Sequence, residues 1–163
     1  MNVVSGRNVR VLIVDDSVFA RKIVSDILGN TPGIEVVGVA INGVEGIAKA
    51  KSLRPDVITM DVEMPELDGL STLKQIMVEC PTPVVMLSSL TTSGAKESIQ
   101  ALKFGAVDIM AKPHGSHSIG LSMLSKELVA KVIAAAQVDV NKLASTGIIS
   151  ERPRNKVKPS AYV

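Results

Sequence analysis

The run VRVLIVDDS, residues 9–17, contains the pattern that decides the fold. Its almost continuous apolar part is typical of a parallel strand that is buried on both faces. From Ser17 to Leu28 the apolar residues recur every three or four positions, and Gly29 interrupts this pattern. The stretch therefore predicts a buried strand, a short acidic turn and an amphipathic helix.

The same alternation continues along the rest of the chain. Four more strands are predicted at residues 34–40, 57–60, 84–87 and 107–111. Stretches of helical period follow them at residues 44–53, 67–80, 95–104 and from 121 to about 138. Strict alternation with short connections implies right-handed crossovers and a parallel sheet with helices on both faces. The sequence thus predicts a flavodoxin-like α/β fold, a (βα)5 three-layer sandwich with sheet order 2-1-3-4-5.

The chain of 163 residues has room for one domain with flanking segments. We expect an N-terminal tail at residues 1–8, the domain at residues 9–138 and a linker at residues 139–163. The linker is expected to be basic and solvated, because its last part places Arg and Lys residues among prolines with few apolar residues to bury.

Composition excludes several classes of protein. Lys and Arg number 18 against 16 Asp and Glu, so the net charge of +2 gives no reason to expect nucleic-acid binding. No apolar stretch reaches the roughly 18 residues of a membrane span, and no signal peptide is evident. A single cysteine, Cys80, rules out an internal disulfide and suits a reducing compartment. We expect a cytoplasmic protein without membrane insertion.

Polar side chains follow the predicted strands at the points where the strands end. They are Asp15 and Asp16 after the first strand, Asp61 after the third, Ser88 and Ser89 after the fourth, and Lys112 after the fifth. Ligands of open parallel sheets bind beyond these carboxyl ends. Two carboxylates about 5 Å apart repel by roughly 3 kcal/mol at an effective dielectric constant of about 20. A hard divalent cation with oxygen ligands, Mg²⁺, would relieve this repulsion.

These groups suit transfer of a phosphoryl group to a carboxylate. Asp61 would be the nucleophile, while Lys112 and the metal would draw charge from the transferring group. Ser88 could donate its hydroxyl to a phosphoryl oxygen. Taken singly, Asp16 and Asp68 are more simply read as a loop residue or a helix cap. Their joint placement with the other groups favours a site.

At these positions the sequence resembles response-regulator receivers. The resemblance lies in the segments VLIVDDS at 11–17, MDVEMPELDG at 60–69 and AKP at 111–113, and it extends over residues 9–138. It implies that a histidine kinase is the phosphodonor. It also implies a role for each residue of the site: Asp61 as phosphoacceptor, Asp16 as direct Mg²⁺ ligand, Asp15 as ligand through water, Glu63 as ligand through its backbone carbonyl, Lys112 as phosphoryl-binding cation and Ser88 as switch hydroxyl.

A narrower resemblance is to the receiver of the chemotaxis protein-glutamate methylesterase, the CheB family. It lies in PVVMLSSLT at 83–91 and GAVD at 105–108. In that family the receiver covers an esterase domain until phosphorylation, and a chemotaxis-type histidine kinase would be the partner. We expect no esterase domain in this chain, because ASTG at 144–147 lacks the first glycine of a nucleophile turn. The chain would then be no enzyme beyond its own phosphorylation and dephosphorylation, and either a fragment or a stand-alone receiver.

One position departs from the usual receiver pattern. Receivers commonly carry an aromatic switch residue three positions before the lysine, where this chain has Ile109. Output is therefore expected to pass through Ser88, the loop at 89–94 and the surface of the fourth helix and fifth strand.

The alternatives to a switching receiver are a metal-dependent phosphatase-like hydrolase, which the sequence Asp61-Val62-Glu63 partly matches, and a stand-alone receiver that acts as a docking module.

Overall fold

A computed structural model describes residues 7–64, 66–89, 92–113 and 118–141 of the chain. Five strands alternate with five helices, as predicted. In chain order they are β1 (Val9–Val14), α1 (Val18–Gly29), β2 (Ile34–Ala40), α2 (Gly43–Leu53), β3 (Val57–Asp61), α3 (Gly69–Glu79), β4 (Val84–Ser88), α4 (Thr92–Lys103), β5 (Asp108–Ala111) and α5 (Ser118–Ala135).

The strands form one sheet in the order β2-β1-β3-β4-β5, and every pairing is parallel. This order confirms the predicted flavodoxin-like topology. The order reverses between β1 and β3, which are direct neighbours. The carboxyl ends of these two strands therefore lie side by side at the switch point, where open α/β sheets place their ligands.

The sheet separates two apolar layers. One layer packs against α2, α3 and α4 and includes Ile58 and Met60 of β3. The other packs against α1 and α5 and includes Val57 of the same strand. Every residue of β3 and β4 is buried, which explains why apolar residues dominate these strands and do not alternate with exposed polar ones. The rigid centre of the sheet supports the residues that follow these strands.

Polar caps determine where three of the helices begin. The side chains of Ser17, Asn42 and Asp68 accept hydrogen bonds from the backbone N–H three residues later, in α1, α2 and α3 respectively. The cap interpretation of Asp68 is therefore confirmed. α4 begins at Thr92, three residues before the predicted start at 95, because the polar first turn of this helix has no apolar period to reveal it.

The chain after α5 does not leave the domain at once. Val140 is 4% exposed, and the carboxylate of Asp139 accepts a hydrogen bond from the N–H of Asn141 at 3.0 Å. The remainder of the predicted linker and the 144–147 segment lie outside the described residues. None of the helices in the described part of the chain combines the length and apolar character that a membrane crossing needs.

Candidate functional site

The loop after β1 places two carboxylates in different environments. Asp15 is 1% exposed, whereas Asp16 is exposed. The backbone N–H of Asp15 donates to the carbonyl of Ala40 at 3.0 Å, and its carboxylate Oδ1 accepts from the N–H of Ser17 at 2.9 Å. Asp15 is thus held by its own backbone and side chain, while no described residue forms a hydrogen bond with the carboxylate of Asp16.

Asp61 ends β3 and is 3% exposed. Its Oδ2 accepts a hydrogen bond from Lys112 Nζ at 2.9 Å, and its Oδ1 accepts one from the N–H of Glu63 at 3.2 Å. Lys112 Nζ also lies 3.2 Å from Asp15 Oδ2. The sheet therefore brings the ends of β1, β3 and β5 together around one ammonium group.

The three carboxylates form a cluster that suits a cation. One oxygen from each of Asp15, Asp16 and Asp61 lies within 4.8 Å of the other two. Asp15 and Asp61 share one lysine, and no described residue forms an ion pair with Asp16, so negative charge is in excess among these four side chains. Asp15 Oδ2 is also buried without a hydrogen bond, since its approach to Lys112 lacks hydrogen-bond geometry. A buried oxygen without a donor in an all-oxygen cluster fits a hard divalent ion such as Mg²⁺.

The pKa values at this site reflect burial and crowding. Burial raises the pKa of Asp61 to about 6, and the charge of Asp15 adds to the rise, while the hydrogen bond from Lys112 opposes it. Burial acts to lower the pKa of Lys112, but the hydrogen bond to Asp61 and the charges of Asp15 and Asp61 outweigh it and raise that pKa. The lysine is therefore a permanent cation, and Asp61 is mostly ionised at neutral pH.

Ser88 at the end of β4 and Glu63 in the loop after β3 lie beside this cluster. Ser88 ends β4, is 8% exposed and donates its hydroxyl to the carbonyl of Ser89 at 3.0 Å. The hydroxyl of Ser89 donates to Glu63 Oε1 at 2.9 Å. This contact holds the Glu63 side chain towards the end of β4.

Ile109, which takes the place of the usual aromatic residue, packs with the apolar layer formed by α2, α3 and α4. It is partly buried in β5, three residues before Lys112. The aliphatic side chain thus serves the packing of the sheet in this structure.

Two further residues support the site and were not predicted from the sequence. Arg21 in α1 donates from Nη1 to the carbonyl of Asp15 at 2.8 Å. Gly69, the first residue of α3, lies so close to Asp61 and Val62 that a Cβ there would collide with the Asp61 carbonyl oxygen. The available signals were the position of Arg21 in the second turn after the acidic pair, and a glycine next to the helix cap Asp68.

The parallel sheet, the three carboxylates and the lysine at its carboxyl edge define a class of protein, the phosphoacceptor receivers. The family model described as "response regulator receiver domain" matches residues 11–122, and the chain belongs to this family. The phosphatase-like and docking alternatives are not favoured by these findings.

Within that class the similarity narrows to the CheB type. The response regulator domain of Thermotoga maritima CheB matches with a TM-score of 0.73 and 50% identity, covering 82% of this chain and 99% of that one. A protein-glutamate methylesterase/protein-glutamine glutaminase of Symbiobacterium thermophilum is 48% identical over 156 residues, 95% of this chain and 43% of that protein. The protein of the same description from Archaeoglobus fulgidus is 56% identical over 134 residues, 82% of this chain and 38% of that protein. The chain is a receiver domain of the CheB type, and it spans about two fifths of the length of these curated relatives.

Proposed function

We propose that Asp61 accepts a phosphoryl group from a phosphohistidine of a histidine kinase. A carboxylate oxygen of Asp61 attacks phosphorus, the bond from phosphorus to the histidine nitrogen breaks, and an acyl phosphate forms on Asp61. The observation that carries the proposal is the geometry of Lys112, whose ammonium lies 2.9 Å from Asp61 Oδ2 and 3.2 Å from Asp15 Oδ2. Buried carboxylates around one cation are suited to a reaction that brings further negative charge to the same place.

The residues of the cluster would bind Mg²⁺ in three different ways. Asp16 and Asp61 would bind it directly, Asp15 through a water molecule and Glu63 through its backbone carbonyl. The Oδ2 of Asp15, which is buried without a hydrogen bond, and the exposed carboxylate of Asp16 support this assignment. When bound, the ion supplies charge neutralisation for the phosphoryl oxygens.

Lys112 and Ser88 would act on the phosphoryl group itself. Lys112 can exchange part of its contact with Asp61 for a phosphoryl oxygen and offset the added charge. Ser88 would turn its hydroxyl from the carbonyl of Ser89 to a phosphoryl oxygen, and the change in this loop would alter the surface beside α4 and β5.

The proposed output is control of a protein-glutamate methylesterase domain by this receiver. The names of the relatives support the proposal, because the chain matches only part of proteins described as methylesterases and glutaminases. We infer that a chemotaxis-type histidine kinase is the phosphodonor and that the described domain is regulatory rather than the esterase.

Intact-mass measurement with acetyl phosphate and Mg²⁺ tests the acceptor. Wild type should gain one phosphoryl group, and Asp61→Asn should gain none. Asp68→Asn is the matched control, because Asp68 caps α3 and should leave phosphorylation intact. A chelator should abolish the adduct. An adduct that persists in folded Asp61→Asn would reject Asp61 as the acceptor.

A further inference from the structure

Asp15 and Asp16 depend on different supports for their positions. The carboxylate of Asp15 is held by the N–H of Ser17 at 2.9 Å and faces Lys112, and its backbone N–H is tied to β2. Asp16 is exposed, and no described residue holds its carboxylate by a hydrogen bond. The direction of the Asp16 side chain is thus determined by the backbone that carries it.

Arg21 acts on that backbone. Its Nη1 donates to the carbonyl oxygen of Asp15 at 2.8 Å, and the side chain is half-buried. This carbonyl belongs to the planar peptide unit that joins Asp15 to Asp16, so holding the oxygen fixes the plane from which Asp16 departs. The carbonyl lies before the helix cap Ser17 and does not take part in the α1 hydrogen bonds. The N–H of Arg21 instead donates to the carbonyl of Ser17 at 2.9 Å.

The geometry of α1 makes this contact natural. Helical side chains point back towards the N-terminus, so a long side chain four residues after the cap can reach the loop before the helix. A guanidinium also offers several donors in one rigid plane, which suits a fixed carbonyl better than a flexible ammonium does. The neighbouring Lys22 points elsewhere and pairs with Asp26 at the surface.

We propose that Arg21 is a positioning residue for cation binding, acting through the Asp15–Asp16 peptide. The inference rests on the proposed function, since it needs the cluster to bind Mg²⁺. A positioning role and a simple charge effect predict opposite changes in Mg²⁺ affinity when Arg21 is replaced. Removing a positive charge near three carboxylates should strengthen cation binding by Coulomb attraction, whereas loss of a positioning contact should weaken it.

The test compares Arg21→Met, which keeps the apolar stem, with Arg21→Lys, which restores a charged donor. Lys22→Met is the control for loss of one positive charge from the same helix. Mg²⁺ affinity is measured by calorimetry and by the shifts of the Asp15 to Ser17 amides in NMR spectra, on the full chain. The phosphorylation rate with acetyl phosphate is then measured across Mg²⁺ concentrations, and a thermal melt of each variant checks folding.

Arg21→Met should bind Mg²⁺ about tenfold more weakly, in the range known for groups that orient metal ligands. Its phosphorylation rate should approach the wild-type rate at saturating Mg²⁺, Arg21→Lys should recover part of the affinity, and Lys22→Met should match wild type. Unchanged or tighter binding in Arg21→Met would overturn the inference while leaving the proposed function intact, and so would equal weakening in Lys22→Met. If Arg21→Met does not fold, Arg21→Gln replaces it in the same comparison. Absence of Mg²⁺ binding by wild type would overturn both.

Discussion

Strand β3 has an aspartate at each end, and the two are treated in opposite ways. Asp56, just before the strand, receives both Arg7 Nη atoms at 3.0 and 3.1 Å and the N–H of Arg10 at 2.9 Å. Asp61, the last residue of the strand, shares one lysine with another buried carboxylate and has a pKa raised to about 6 by burial. One carboxylate is satisfied and joins parts of the fold, and the other is left short of positive charge at an edge that can bind ligands.

The difference shows that β3 contributes to stability at one end and to chemistry at the other. The end of the sheet around Asp56, here called the base of the sheet, meets the ordinary requirement that buried or partly buried charges be paired and hydrogen-bonded. The carboxyl edge departs from this requirement at Asp15, whose Oδ2 has no hydrogen bond. Such departures are expected at functional sites, where the rest of the fold supports the strain. Variants at each end of β3 test whether its roles in stability and chemistry can be separated.

The largest expected effect follows from removing the shared cation. Lys112→Met should slow phosphorylation of Asp61 by about 100-fold, because the lysine offsets charge that develops on the transferring group. Lys131→Met, which removes a lysine of α5 that pairs with Asp108 at 2.8 Å at the other end of β5, is the matched control. The measurement is the initial rate of adduct formation with acetyl phosphate at saturating Mg²⁺. Equal rates for the two variants would show that Lys112 does not accelerate phosphorylation.

The base of the sheet should respond in stability and not in chemistry. Asp56→Asn should lower the free energy of unfolding by about 1–3 kcal/mol, because the amide cannot accept from both Arg7 and the Arg10 N–H as a carboxylate does. Urea unfolding followed by circular dichroism measures the change. The phosphorylation rate of folded Asp56→Asn should stay within about twofold of wild type. A loss of rate much greater than this would show that the two ends are coupled.

At the carboxyl edge, replacing an aspartate should raise the free energy of unfolding, whereas at the base of the sheet it should lower it. The pKa of Asp61 rises from 3.8 to about 6 on folding, so the folded state retains a proton that the unfolded chain releases. The contribution of Asp61 to wild-type stability should therefore fall as pH rises from about 4 to 6 in a chelator and stay constant at higher pH. Asp61→Asn lacks this cost and should be more stable than wild type by about 1–3 kcal/mol above pH 6. Urea midpoints across this pH range test the claim, and a destabilised Asp61→Asn at neutral pH would contradict it.

Periodicity and strand ends predicted most of the fold and the main residues of the site. The apolar run before Asp15 and the one before Asp61 indicated buried parallel strands, and the topology followed from regular alternation. What the sequence does not show is which of two adjacent acids is buried, because Asp15 and Asp16 differ only in the direction that the loop gives them. The contact of Arg21 with the Asp15 carbonyl depends on a side-chain rotamer, and the burial of Val140 on a turn after α5 that has no period.

Chemical trapping identifies the phosphorylated residue directly and without any mutation. Wild type is treated with acetyl phosphate and Mg²⁺, and then with borohydride, which reduces an aspartyl phosphate to homoserine. Peptide mass spectrometry then locates the homoserine. The account predicts homoserine at position 61 alone, and only when both the phosphodonor and Mg²⁺ are present. Homoserine at Asp15, Asp16 or Asp56, or its formation in a chelator, would contradict it.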